Sequence, residues 1–248
     1  MVSIATSDPN ILDIDVGNTR IKWRLRASGA ESRGYIDRTT AAADAWPKCR
    51  PDRIRVSSVA SKAENEALRR SLESQFGRTP EFAKTSTAAA GVTCGYDDPA
   101  RLGVDRWLAM LAARQIATGP FVVIDLGTAA TIDFVSAEGA HEGGYIVPGL
   151  RLMTAALLRG TADVRVNFEA EHLDVGPGRN TAAAVRGGVV SMLADFARNS
   201  VARFTDDCAE SPHVYLCGGD AELIAALIGI PVAINPQLVL DGLGVALP

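Results

Sequence analysis

Two stretches of this chain repeat one device: an apolar strand that runs into Asp-x-Gly and then into small, hydroxyl-bearing residues. The first is ILDIDVGNTRIKWRL, with Asp15, Gly17, Asn18 and Thr19; the second is FVVIDLGTAATIDFV, with Asp125, Gly127, Thr128 and Thr131. The two aspartates lie 110 positions apart (125 − 15), so each half of the 248-residue chain owns a copy. A carboxylate at a strand end, followed by a glycine-opened turn, can hold a metal and bring backbone N–H groups against phosphate oxygens. Two such turns facing one another would clamp a nucleotide triphosphate. A single Asp-x-Gly reads first as an Asx-type turn that caps a strand. The matched flanking pattern of two copies favours the functional reading.

The surrounding pattern predicts an α/β chain. Ile21, Trp23 and Leu25 alternate with Lys22, Arg24 and Arg26, the period of a strand with one buried face, so 11–16 and 19–26 form a hairpin. IRVSSV (54–59) is a further strand. SKAENEALRRSLESQF (61–76) has helical spacing, opened by a Ser61/Glu64 capping box and stopped by Gly77. Residues 103–117 read as a mostly buried helix, broken by Gly119-Pro120. That break divides the chain into domains 1–118 and 119–248. The second half restarts with strand, turn and strand, then adds the GGYIVPG strand, a Pro148-Gly149 turn and an amphipathic helix. A helix near 181–204, a strand at 213–219 and a last helix near 220–228 follow. Region 30–53 supplies loops and edge elements. Repeated mixed β/α halves around a central cleft are the expected architecture.

Composition removes several functions. Charged residues make up 22% and the net charge is −4, with no long basic run, which argues against a nucleic-acid surface. The opening MVSIATSDPN has no positive n-region, and no window approaches the roughly 20 apolar residues of a membrane span. Cys49, Cys94, Cys208 and Cys217 are scattered, as are His141, His172 and His213, with neither disulfide nor zinc spacing. A soluble cytoplasmic protein is the expectation.

Other residues carry chemistry less sharply. Lys22 reads equally as a flexible phosphate-binding charge and as a solvent-facing strand lysine. Asp13 shares a strand face with Asp15 and reads as structural. In GYDDPARLGVDRWLAM, Asp105 could accept a hydroxyl proton and Arg106 could fork onto a carboxylate. The alternative is an aspartate complementing a helix dipole beside a surface arginine. Tyr96 reads as core cover or as pocket wall. Gly218 and Gly219, in CGGD, end a strand and open a helix, which suits the adenosine end of a nucleotide or merely a turn. Thr181 reads most simply as a helix cap.

Taken in order, the two Asp-x-Gly turns, GVDR, GGYIVPG and CGGD resemble the type III pantothenate kinases, from about Leu12 to the C-terminus. That family belongs to the acetate/sugar kinase, Hsp70 and actin superfamily. The resemblance implies two duplicated ribonuclease-H-like (actin-like ATPase) domains with mixed sheets. DVGNTRIKW is similar to the first phosphate motif and DLGTAAT to the second, with Ala130 where many relatives have threonine. It implies that Asp15, Val16, Gly17, Asn18, Thr19, Arg20, Ile21, Lys22 and Thr128, with Gly218 and Gly219, contact ATP. It implies that Tyr96, Gly103, Val104, Asp105 and Arg106 hold pantothenate, with Thr181 joining from the partner subunit of a homodimer. Asp105 would be the general base, Asp15 would stand by Mg²⁺, and Asp125 would ligate a monovalent cation, K⁺ or NH₄⁺. The implied reaction makes 4′-phosphopantothenate for coenzyme A synthesis. Another kinase or phosphohydrolase of the superfamily, and a non-catalytic regulatory factor, are the alternatives.

Overall fold

The computed structural model describes residues 9–27, 29–38, 46–159, 166 and 175–248. His172 and the chain ahead of residue 9 lie outside the described residues. The elements are β1 (Ile11–Val16), β2 (Arg20–Ala27), β3 (Ala30–Asp37), β4 (Arg53–Ser58), α1 (Lys62–Phe76), β5 (Glu81–Phe82), β6 (Ala88–Ala89) and β7 (Val92–Thr93). A 3₁₀ turn over Pro99–Arg101 leads into α2 (Val104–Ile116). Then come β8 (Phe121–Leu126), β9 (Ala129–Val135), β10 (His141–Pro148), α3 (Leu150–Leu157), α4 (Thr181–Asp206), β11 (His213–Cys217), α5 (Ala221–Ile228), β12 (Ala233–Ile234) and α6 (Leu238–Ala246).

The chain forms two compact units. One comprises Met1–Ala90, Tyr96–Ala112 and Leu238–Pro248; the other comprises Gly91–Gly95 and Ala113–Gln237. The first contains a sheet ordered β3-β2-β1-β4-β5 and the second a sheet ordered β10-β9-β8-β11-β12. In each sheet the first three strands of the order pair antiparallel and the last three parallel. The repeated motif thus marks a repeated topology, and each Asp-x-Gly turn closes the hairpin that begins its unit's sheet.

Local chemistry explains the elements. The Ser61 hydroxyl accepts the Glu64 N–H while Glu64 accepts the Ser61 N–H, and Gly77 ends α1 at φ 65°, so both predicted caps of that helix are present. Leu72 and Phe76 face the first core with Leu12, Ile14, Ile54 and Val56. In the second unit Ile124, Leu126, Ile132, Val190, Leu193 and Leu216 pack between the sheet and helices α4 and α5. Region 30–53 contributes the edge strand β3, where Gly34 lies flat against Trp23: a Cβ there would sit 2.6 Å from the indole.

One element departs from the sequence reading. A helix follows 220–228 after all: α6 belongs to the first unit, where it packs on β1 and β4. Asp13, read from its strand face as structural, is held by a cluster of arginines. Fully buried, Asp13 accepts from Arg55 Nε at 2.7 Å and from Arg24 and Arg26 at 3.1 Å each. Arg24 also donates to Asp241 and to the Leu240 carbonyl, and Arg55 to the Leu247 carbonyl at 2.8 Å. A buried carboxylate survives because three guanidinium groups neutralise it, and two of these reach on to the C-terminal segment. No helix among the described residues is long and apolar enough to cross a membrane.

Candidate active site

In the first unit the turn after β1 closes with the Gly17 N–H donating to the Arg20 carbonyl at 3.0 Å. Asp15 lies opposite Lys22 on β2 and Ser57 on β4, and the buried Ser57 hydroxyl donates to Asp15 Oδ1 at 3.0 Å. That bond orients a half-buried carboxylate at the strand end. Val16 faces the core, whereas Asn18, Thr19 and Arg20 are exposed. Ile21 and Lys22 are half-buried, and Lys22 has no hydrogen bond or ion pair among the described residues. Arg20 is engaged elsewhere: its Nε donates to Asp37 at 3.2 Å and its guanidinium lies 5.0 Å from the Tyr35 ring centre.

The GVDR segment, also in this unit, opens α2. Gly103 accepts the Trp107 N–H, and Asp105 Oδ1 accepts the Arg106 N–H at 2.8 Å. A Cβ on Gly103 would come within 2.6 Å of that same oxygen, so only glycine leaves the carboxylate where it is. Arg106 is 6% exposed, donates to the Tyr96 hydroxyl at 2.9 Å and sits 5.6 Å from its ring centre. The surface-arginine alternative is therefore wrong, and Tyr96 is tied to Arg106. A carboxylate, a guanidinium and a phenol meet at one helix start, a set able to take a proton and to fork onto an anion.

In the second unit the Gly127 N–H donates to the Ala129 carbonyl at 3.1 Å, and Asp125 lies opposite Thr131 on β9 and Cys217 on β11. Thr128 is exposed at the tip. Gly149 lies directly against it: a Cβ there would be 2.1 Å from the Gly127 carbonyl and 2.8 Å from that of Thr128. Gly218, at φ 91°, covers the other side, since a Cβ would be 2.5 Å from Asp125 Oδ1 and 2.4 Å from the Leu126 carbonyl. Glycine is required at both places by close approach. Gly219 is exposed, and Asp220 donates its N–H to Leu126 at 3.0 Å. Burial raises the Asp220 carboxyl above the usual range, with the Arg151 charge opposing.

Thr181 is not a cap. Asn180 caps α4, accepting the Ala183 N–H at 2.9 Å, and Thr181 begins the helix with its side chain exposed. No group of three or more His, Cys, Asp or Glu side chains able to hold a metal occurs among the described residues. Sequence reading passed over Arg38, which reaches the first turn, and the buried pair of Asp133 with His141 Nε2 at 3.0 Å. A cavity of about 420 Å³ lined by Trp46, Lys48, Cys49, Arg50 and Phe76 in the first unit contains none of the predicted site residues.

Two mixed sheets of identical order, each opened by an Asp-x-Gly hairpin, define the actin-like class of ATPase folds. A solved relative in fold is MreB 5 of Spiroplasma citri bound to AMPPNP, at TM-score 0.50 and 9% identity over 95% of each chain. A Campylobacter jejuni protein assigned to the Baf family of transcriptional activators aligns at TM-score 0.55 and 21% identity, over 94% of this chain and 95% of that one. Both likenesses concern the fold alone. A family model described as type III pantothenate kinase matches residues 11–203. The type III pantothenate kinase of Ectopseudomonas mendocina (strain ymp) is 39% identical over 247 residues, spanning 96% of this chain and 99% of that protein. The chain belongs to the type III pantothenate kinase family, enzymes that phosphorylate pantothenate in coenzyme A biosynthesis.

Proposed function

We propose that this kinase transfers the γ-phosphoryl group of ATP to the primary hydroxyl of pantothenate with Asp105 as general base. The observation that carries the reading is the Asp105–Arg106–Tyr96 group, with Asp105 Oδ1 fixed by the Arg106 N–H and the Arg106 guanidinium fixed by Tyr96. The hydroxyl oxygen attacks the γ-phosphorus, its proton passes to the Asp105 carboxylate, and the bond to the ADP oxygen breaks. Such a transfer depends on positioning and charge neutralisation more than on covalent chemistry. Arg106, Tyr96 and the Gly103-Val104 backbone would bind the substrate, its carboxylate taking the guanidinium fork. Asp15 to Lys22 and Thr128 would hold the phosphates, and Gly218-Gly219 the adenosine end.

The donor sets suit the expected cations. Mg²⁺ keeps several waters and needs only one or two carboxylates beside substrate phosphates, which the half-buried Asp15 can provide directly or through water. Asp125, hard oxygen beside the close-packed Gly218 backbone, would hold K⁺ or NH₄⁺. Both ions would supply positive charge against the polyphosphate. The active form proposed is a homodimer in which Thr181 serves the partner's substrate. Its support is an apolar surface on the second unit, where Ile146, Leu152, Leu157 and Met192 are 44–62% exposed. The proposed setting is the cytoplasm, in keeping with four unpaired thiols.

Asp105→Asn tests the base. It preserves shape, and turnover should fall by at least about 10²-fold with both KM values nearly unchanged. A variant turning over at the parental rate removes Asp105 from the role. Omitting K⁺ and NH₄⁺ from a coupled ADP-release assay tests Asp125 in the same way.

A further inference from the structure

We infer that Arg38 is a positioning residue for the first phosphate turn, a role resting on the reading that this turn grips ATP. Arg38 follows β3, and its partners Thr19, Gly17 and Glu64 lie in the first unit. Its backbone N–H donates to the Thr19 carbonyl at 3.2 Å and its Nη1 to the Gly17 carbonyl at 3.3 Å. Its Nη2 pairs with the Glu64 carboxylate. Glu64 in turn is locked by the capping box, accepting the Ser61 N–H at 2.9 Å while donating its own N–H to Ser61 Oγ. The loop ahead of Ser61 is fastened to the same turn, with the Val59 N–H donating to the Val16 carbonyl at 3.3 Å.

The geometry has a direct consequence for phosphate binding. In a planar trans peptide the carbonyl and the following N–H point in opposite directions. A guanidinium holding the Gly17 carbonyl therefore fixes where the Asn18 N–H aims, and Asn18 is exposed and makes no hydrogen bond with any described residue. The guanidinium fork serves the carbonyl and the carboxylate from two separate nitrogens, Nη1 and Nη2, whereas a lysine ammonium would have to reach both from one. Bonds from Ser61, with the Arg38 charge behind them, hold the Glu64 carboxyl below its usual range, which keeps the strut ionised through neutral pH. Arg38 touches no reacting group. It acts by holding still a turn whose tip is otherwise open to solvent.

Steady-state kinetics on the full chain, varying ATP and pantothenate separately, test this. Arg38→Ala should raise KM for ATP about tenfold, leave KM for pantothenate within about twofold, and shift Tm by less than about 3 °C. Arg38→Lys should recover part of the ATP affinity. Glu64→Gln, which retains a capping-box side chain, should raise KM for ATP about threefold. An ATP KM unchanged in Arg38→Ala, while Lys22→Ala raises it, overturns the role of Arg38 alone. If neither variant moves it, the phosphate reading of the turn fails as well. Equal rises for both substrates together with a large loss of Tm would make Arg38 a plain stability residue and overturn the inference. Should Arg38→Ala not fold, Arg38→Lys and Glu64→Gln carry the same comparison.

Discussion

The two hairpin turns share a topology and differ in how they are held. Between the paired residues Val16 and Ile21 the first turn spans 17–20; between Leu126 and Ala130 the second spans only 127–129. The second is packed on two sides by backbone, at Gly149 and Gly218. The first is tied by hydrogen bonds from the end of β3: the Arg38 N–H donates to the Thr19 carbonyl and the Arg38 guanidinium to that of Gly17. Close backbone packing leaves a turn less room than hydrogen bonds from a neighbouring strand end do. The same strand-turn-strand unit is thus held in two different ways.

Substitution can break that contrast. Gly149→Ala drives a methyl into the Gly127 carbonyl and should cost more than about 4 kcal/mol or prevent folding, seen as loss of the denaturation transition. Asp13→Asn leaves the buried Arg24 and Arg55 guanidinium groups, and the half-exposed Arg26, short of their counter-charge, and about 3 kcal/mol should be lost in urea melts. Lys22→Ala should raise KM for ATP about tenfold, or about 1.4 kcal/mol, with Tm unchanged. Gly17→Ala meets only the Arg20 carbonyl at 3.2 Å and should cost about 1 kcal/mol; a loss equal to that of Gly149→Ala would erase the distinction between the turns.

The smallest effect concerns Asp220. Because burial raises its folded pKa, the native state binds the proton more tightly than the unfolded chain does. The resulting stability is present at acid pH and falls as pH climbs through the raised value. Asp220→Asn should flatten that part of the pH–Tm profile and leave the alkaline side slightly more stable.

Much of this was legible in the residues. The apolar strands ahead of Asp15 and Asp125, the alternation of Ile21, Trp23 and Leu25, the Ser61/Glu64 box and Gly77 report local physics, and the elements stand where that physics puts them. The paired motif also announced a repeated sheet, because matched flanking patterns favour matched strand pairing. What spacing could not convey was long-range. Asp13 reads as structural from its strand face, yet its three arginines come from β2 and β4, and two of them extend to the segment around α6. The helix itself, LVLDGLGVA, carries two glycines and no cap signal, so its propensity is poor; tertiary burial of Leu238, Leu240 and Leu243 sustains it. Thr181 looked like a cap until Asn180, one residue earlier, took the place. Arg38 sits in a stretch with no period at all, and only the folded β3 edge brings it to Gly17. The roles of Asp105, Asp125 and Thr181 came from family likeness, not from periodicity.

The late return of α6 bears on biogenesis. β1 leaves the ribosome long before Leu238–Ala246 is made, so during translation the arginines of the first sheet wait with their carbonyl acceptors Leu240 and Leu247 not yet synthesised. The amino-terminal half of this enzyme can therefore finish its interior only after the other half has emerged. A fusion or nick near residue 240 would injure the earliest-made sheet first.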